Sequence, residues 1–233
     1  MLEQWVLIEK DFFLLLNSPH TSYLDSVMYL ISDKLAWIPY GIVFFALLFY
    51  KQKPKEILWL FIAMGLLIFL GDQISSQIFK PFFQRYRPTH HPETMDLVKT
   101  VIGYKGGSYG FISGHSANFF SAATFTALLL RDRLYSIAVY TVVVTVAYSR
   151  IYLGVHFITD VIPGICVGLL LGWFVYQIYV MGREVFLGIP SEKVKTPYIR
   201  PQNRISKIAY SMVLFYISLW IFSPFIFKWY FLN

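Results

Sequence analysis

Apolar residues fall into six long stretches, separated by polar connections of very unequal length. A helix needs about 20 mostly apolar residues to cross the hydrocarbon layer of a bilayer. On that measure the candidate spans are Leu35–Tyr50, Ile57–Phe79, His115–Leu130, Leu134–Tyr152, Phe157–Val180 and Ile205–Phe227. The first is short and needs tilt or an extension through Asp25–Ser32. Trp37, Trp59, Trp173, Trp220 and Trp229 lie near span ends or within the apolar runs, where indole rings anchor at the membrane interface. The N-terminal segment, MLEQWVLIEKDFFLLLNSPH, carries Glu3, Glu9, Lys10 and Asp11. A secretory signal has a basic start and a longer apolar stretch. This segment predicts instead a short amphipathic helix lying at the interface. The expected fold is therefore all-α: a polytopic membrane protein with six transmembrane helices plus a short N-terminal interfacial helix.

Composition agrees with that pattern. The chain is 57% hydrophobic and 14% charged, against roughly a quarter charged residues in soluble domains. A water-soluble globule is excluded. No polar linker and no repeat divides the sequence, so residues 1–233 read as a single membrane-embedded domain. The net charge of +7 is scattered among apolar spans, which argues against nucleic acid and for lipid headgroups or an anionic substrate. Cys166 is the single cysteine and has no intrachain partner. Basic residues at Lys51, Lys53, Lys55, Arg131, Arg133, Arg183, Lys193, Lys195, Arg200, Arg204 and Lys207 share one face and outnumber those opposite. The positive-inside rule puts that face in the cytoplasm and turns Lys80–Gly114 outward.

Ionisable groups at membrane depth are costly and mark function. They cluster in KPFFQRYRP (Lys80–Pro88), in SGH (Ser113–His115) and in SRIYLGVHFITD (Ser149–Asp160). Alternating crossings bring all three to one face. Taken singly, a lysine or arginine at a span end snorkels to headgroups, and a histidine there is an ordinary interfacial residue. Their conjunction on one face is what points to a site. Lys80, Arg87 and Arg150 suit a phosphate dianion. Ser113 can cap the helix that begins at Gly114, whose free N–H groups favour an anion. His156 and Asp160 are four apart on one helix face, so the carboxylate can fix the imidazole tautomer and leave the other nitrogen free to attack. His115 has no such acid and can protonate a leaving oxygen.

These motifs make the chain resemble the type-2 phosphatidic acid phosphatase superfamily, bacterial membrane-bound type. Its signature is K-x6-RP, PSGH and SR-x5-H-x3-D. Lys80, Arg87 and Pro88 match the first part; Ser113, Gly114 and His115 the second; Ser149, Arg150, His156 and Asp160 the third. Ile112 stands where the pattern has proline. The resemblance implies a lipid phosphatase without metal or cofactor. His156 would carry a phosphohistidine and Asp160 would orient it. His115 would protonate the lipid oxygen. Lys80, Arg87, Ser113, Gly114 and Arg150 would hold the phosphoryl oxygens. The implied partners are the bilayer and a membrane lipid phosphate: undecaprenyl diphosphate, phosphatidylglycerophosphate, phosphatidic acid or lipid A. No nucleic acid or protein partner is expected. The implied place is the inner (cytoplasmic) membrane, with the site on the periplasmic face. A lipid phosphotransferase and a non-enzymatic anion or lipid carrier stand as alternatives. His90, His91 and Glu93 read as loop residues near the site. Gly103, Gly106, Gly107 and Gly110, with Tyr104 and Tyr109, predict a bent loop that shapes the headgroup pocket.

Overall fold

Helices make up the framework, and the computed structural model describes residues 2–194, 198 and 202–232, with side chains for 4–194, 198 and 204–231. Lys195 and Arg200, two of the basic residues used for orientation, lie outside the described residues. Helix α1 is Leu2–Asn17 and α2 is Ser22–Ser32. A 3-10 turn at Leu35–Trp37 leads into α3, Ile38–Phe49. Helix α4, Pro54–Asp72, continues through a π-helical segment at Gln73–Phe79 into α5, Lys80–Phe83. After a long loop come α6 (Gly114–Leu130), α7 (Arg133–Tyr152), α8 (Ile158–Val185), α9 (Ser191–Val194) and α10 (Gln202–Leu232). Local chemistry sets several starts. Thr21 Oγ1 accepts from Leu24 N at 3.1 Å, and Asp132 Oδ1 from Tyr135 N at 2.8 Å. Pro54 opens α4, where a missing N–H leaves no bond unmade.

Helix α6 sits in the middle, against α4, α7 and α8. Its closest partner is α8, and a row of glycines explains the approach. A Cβ on Gly164 would lie 2.7 Å from the Ser113 carbonyl oxygen; on Gly168, 2.6 Å from that of Ala117; on Gly172, 2.5 Å from that of Ser121. Small residues every fourth position let two membrane helices touch backbone to backbone. Helix α10 closes the other side, on α2, α3 and α7. Ile42, Leu58, Phe61, Phe69, Ile137 and Leu170 stand exposed around the bundle, where acyl chains of a bilayer would cover them.

Four stretches are long and apolar enough to cross a membrane: Pro54–Phe83, Arg133–Tyr152, Ile158–Val185 and Arg204–Phe231. Ser22–Ser32 and Leu35–Phe49 make a fifth if taken together. The expected count of six is therefore not met by length and composition. Two physical facts account for the difference. Helix α6 has only 17 residues and carries Ser116, Asn118, Ser121, Thr124 and Thr126, which its neighbours shield from lipid. The first span is broken at Asp33–Lys34, and its two helices meet at 76° instead of continuing straight. The N-terminal segment is helical as predicted, and one of its faces packs on the protein. Val6, Phe13 and Glu9 are buried, and α1 packs on α7 and α8.

Candidate active site

Three motifs reach one region through three kinds of backbone. After α5, Gln84 adopts the left-handed conformation and ends the helix. The chain then extends: Arg87 N donates to Ser108 O at 3.0 Å and Gly110 N to Arg85 O at 2.9 Å, flanking the isolated Tyr86–Tyr109 bridge. Extended backbone alternates its side chains. Arg85 and Arg87 therefore turn inward and are buried, while Tyr86 stays exposed. The glycine loop passes close above them. A Cβ on Gly106 would lie 2.9 Å from Arg87 Nη1, and one on Gly110 would lie 2.8 Å from Asp160 Oδ2.

The second motif is tied to the third by backbone, because Ser113 N donates to the Asp160 carbonyl at 2.9 Å. Ser113 Oγ caps α6, accepting from Ser116 N at 3.4 Å and Ser116 Oγ at 3.0 Å. The cap forms with Ile112 fully buried in place of the pattern's proline. Ser113 Oγ accepts both of these bonds and keeps its own O–H proton to donate. The start of α6 itself is also available to an anion. Gly114 makes room for the π-helical segment, since a Cβ there would lie 2.9 Å from Ser75 Oγ.

His156 sits in the turn between α7 and α8 and is 1% exposed. Arg87 Nη1 lies 3.3 Å from its Nε2. Arginine only donates, so Nε2 is the acceptor and the neutral ring carries its proton on Nδ1. Asp160 faces that nitrogen, with Oδ2 3.6 Å from Nδ1. This distance is beyond a hydrogen bond, so the tautomer-fixing bond expected from the spacing is not made in this state. The reason lies in the other claims on the carboxylate. Oδ1 accepts from Arg85 Nη1 at 2.8 Å, and Oδ2 from Phe157 N at 3.0 Å. Catalytic hydrogen bonds are commonly long before substrate binds.

Charge around the ring reinforces the neutral state. Burial first, then Arg87, Arg150, His115 and Lys80, hold the His156 imidazole well below its usual 6.5. It stays unprotonated as pH falls through 6.5. By linkage, stability is complete above that value and falls in more acid solution, where the unfolded ring binds a proton and the folded one resists it. Burial and then Arg150 pull the Arg87 guanidinium down to about 10, still charged at neutral pH.

The remaining cations divide between two openings. His115 and Arg150 line a cavity of about 410 Å³ with Tyr29, Ser32, Lys34 and Tyr104. Lys80 and Arg87 line another of about 490 Å³ with Ser76, Gln84 and Tyr109. Arg150 bonds Ser32 Oγ and the Tyr104 hydroxyl, the latter at 3.5 Å. Burial alone would raise the Tyr104 phenol. Arg150, with Arg87 and Lys34, outweighs it and brings the phenol below its usual value. His90, His91 and Glu93 do not converge: His90 Nδ1 pairs with Thr89 Oγ1 at 3.0 Å, and Glu93 with Lys10 at 3.2 Å. Among the described residues no group of three or more histidine, cysteine or acidic side chains is arranged to hold a metal ion.

Residues 56–184 match the PAP2 superfamily. The chain belongs to the PAP2 superfamily. It is 51% identical over 181 residues to a lipid A 4'-phosphatase of Porphyromonas gingivalis, covering 78% of this chain and 77% of that one. It is 34% identical over 173 residues to a lipid A 4'-phosphatase of Bacteroides thetaiotaomicron, covering 73% and 76%. In fold it is similar to a PAP2-type phosphatidylglycerolphosphate phosphatase from Bacillus subtilis, with TM-score 0.55, 24% identity, and 73% and 84% of the two chains aligned. This PAP2 chain is thus a multi-pass membrane enzyme of the lipid phosphatase class, and the carrier alternative is set aside. Sequence reasoning had missed Arg85 and Glu9, which hold Asp160 from behind, and Ser32, which meets Arg150.

Proposed function

We propose that the protein hydrolyses a phosphomonoester of a lipid A-type glycolipid, releasing inorganic phosphate, at the periplasmic face of the inner membrane, through a phosphohistidine on His156. The observation that carries the chemistry is the Arg87–His156 contact, which leaves the Nε2 lone pair beside a guanidinium able to hold phosphoryl oxygens. His156 Nε2 attacks phosphorus, and the bond from phosphorus to the lipid oxygen breaks as His115 delivers its proton. Water then attacks the phosphohistidine, His115 takes up the water proton, and inorganic phosphate leaves. Lys80, Arg87, Arg150 and the N-terminus of α6 at Ser113 and Gly114 carry the oxygens' charge. With these cations doing that work, turnover needs no metal, and excess chelator leaves it unchanged.

The choice of lipid A rests on the two relatives named for that activity. The polar cavity beside His115 and Arg150, with Tyr29 and Tyr104 in its wall, suits a sugar headgroup. The whole chain acts as one membrane domain with six crossings, counting short α6 and the bent α2–α3 pair. The test is a panel of purified lipids: lipid A, phosphatidylglycerophosphate, phosphatidic acid and undecaprenyl diphosphate. Lipid A should lose a phosphate, seen by mass spectrometry, at the highest kcat/KM. A preference for any other member rejects the lipid A assignment.

A further inference from the structure

The N-terminal helix contributes a carboxylate to the interior behind the site. Glu9 is 8% exposed on its side chain, and it pairs with a fully buried Arg85 at 2.6 Å. Arg85 Nη1 donates to Asp160 Oδ1 at 2.8 Å and to Thr159 Oγ1 at 2.7 Å. Glu9 also grips the start of α8 directly, accepting from Thr159 N at 3.0 Å and from the Thr159 hydroxyl. The Arg85 guanidinium lies 4.8 Å from the centre of the Phe157 ring, and Phe13 of α1 meets that ring edge-on at 5.1 Å. A bonded chain thus runs from α1 through Glu9 and Arg85 to Asp160, whose Oδ2 faces the His156 imidazole at 3.6 Å.

We propose that Glu9 is a positioning residue, acting through Arg85 to keep Asp160 available to the His156 imidazole. Two features carry this. The first is charge. A lone Arg85 would spend its full positive charge on Asp160 and compete with the imidazole for that carboxylate. With two carboxylates on one guanidinium, the charge is shared, and Asp160 keeps net negative charge toward Nδ1, 3.6 Å away. The second is geometry. Each Arg85 terminal nitrogen has a carboxylate of its own, so the guanidinium plane is fixed at both ends and Asp160 Oδ1 is pinned. Oδ2 is left to Phe157 N and to the imidazole. A buried ion pair is weak support for stability alone, because desolvation offsets the attraction. An arrangement of three buried charges is better accounted for by what it holds in place.

The inference rests on His156 being the nucleophile, and the two can fail separately. If His156→Ala retains turnover, the nucleophile assignment falls. If His156→Ala is inactive, Glu9 is tested alone. Glu9→Gln keeps the shape but removes the charge and one of the two acceptor oxygens. It should lower kcat by about tenfold or more, by analogy with the loss seen when an outer partner of a metal-bound histidine is removed, with KM within about twofold. Glu9→Asp should recover part of the loss. Because Glu9 acts through Arg85, adding Glu9→Gln to Arg85→Gln should cost no further kcat, whereas independent sites would add. If Arg85→Gln does not fold, Thr159→Val serves. It loosens the Glu9 grip without changing charge and should also lower kcat at constant KM. A Glu9→Gln protein with unchanged kcat and only a lower Tm would overturn the proposal, as would additive losses in the double variant.

Discussion

An arginine cannot accept a hydrogen bond, so the Arg87 contact makes His156 Nε2 the unprotonated nitrogen, the one proposed to attack, and leaves Nδ1 on the side facing Asp160. His115 has a different setting, in the wall of the cavity with Arg150 and Tyr104, with no side-chain hydrogen bond among the described residues. If it protonates the leaving oxygen, its loss should depend on the leaving group. His115→Ala should slow cleavage of a lipid phosphate by about 10²–10⁴-fold. It should scarcely change cleavage of an activated aryl phosphate, whose oxygen departs without a proton. Equal losses on both substrates, measured as kcat, would remove His115 from the acid role. All the residues invoked in that chemistry were legible in the sequence, because their spacing is local to three short motifs. Arg85 was hidden inside the spacer between Lys80 and Arg87. Only the two-residue alternation of extended backbone, which no helical reading of that segment contains, turns it inward beside Arg87. Glu9 gave no signal at all. On an amphipathic helix it read as the wet face, and its partners are 76 and 150 residues away.

Among the elements, the α6–α8 contact does most to fix the site, because Ser113 N, at the head of α6, bonds the Asp160 carbonyl in the first turn of α8. The glycine row of α8 allows that contact. Gly168→Leu should therefore destabilise the protein by about 1–3 kcal/mol or more, as overpacking does. Gly65→Leu on α4, where nothing lies within 4 Å of the added Cβ, should leave Tm in detergent nearly unchanged. Similar Tm losses for both would show that the glycine row is not the close contact described. Most helices were legible from apolar runs, with ends shifted by a few residues. Two features were not. The bend at Asp33–Lys34 goes with α10 packing against both α2 and α3, a contact between distant parts of the chain. The π-helical turn at Gln73–Phe79 has the sequence QISSQIF, with no proline or glycine inside it to set it apart from plain helix.

For the whole molecule, the apolar exterior suits a bilayer, and the proposed phosphate site gathers Lys80, Arg87, His115, Arg150 and His156. The proposed orientation, with the motif face outside, rests on the positive-inside rule applied to the basic loops opposite. With Cys166 replaced by serine, a cysteine at the exposed Asp96 should react with an impermeant thiol reagent in spheroplasts. Labelling only after lysis would place the site in the cytoplasm. The central claim is that phosphate passes through His156. It is tested most directly by quenching the enzyme during turnover of a radiolabelled lipid phosphate and locating the label. The account predicts an acid-labile, base-stable phosphoenzyme with the label on His156, and none in His156→Ala. Label on His115, or on any other residue, would contradict it.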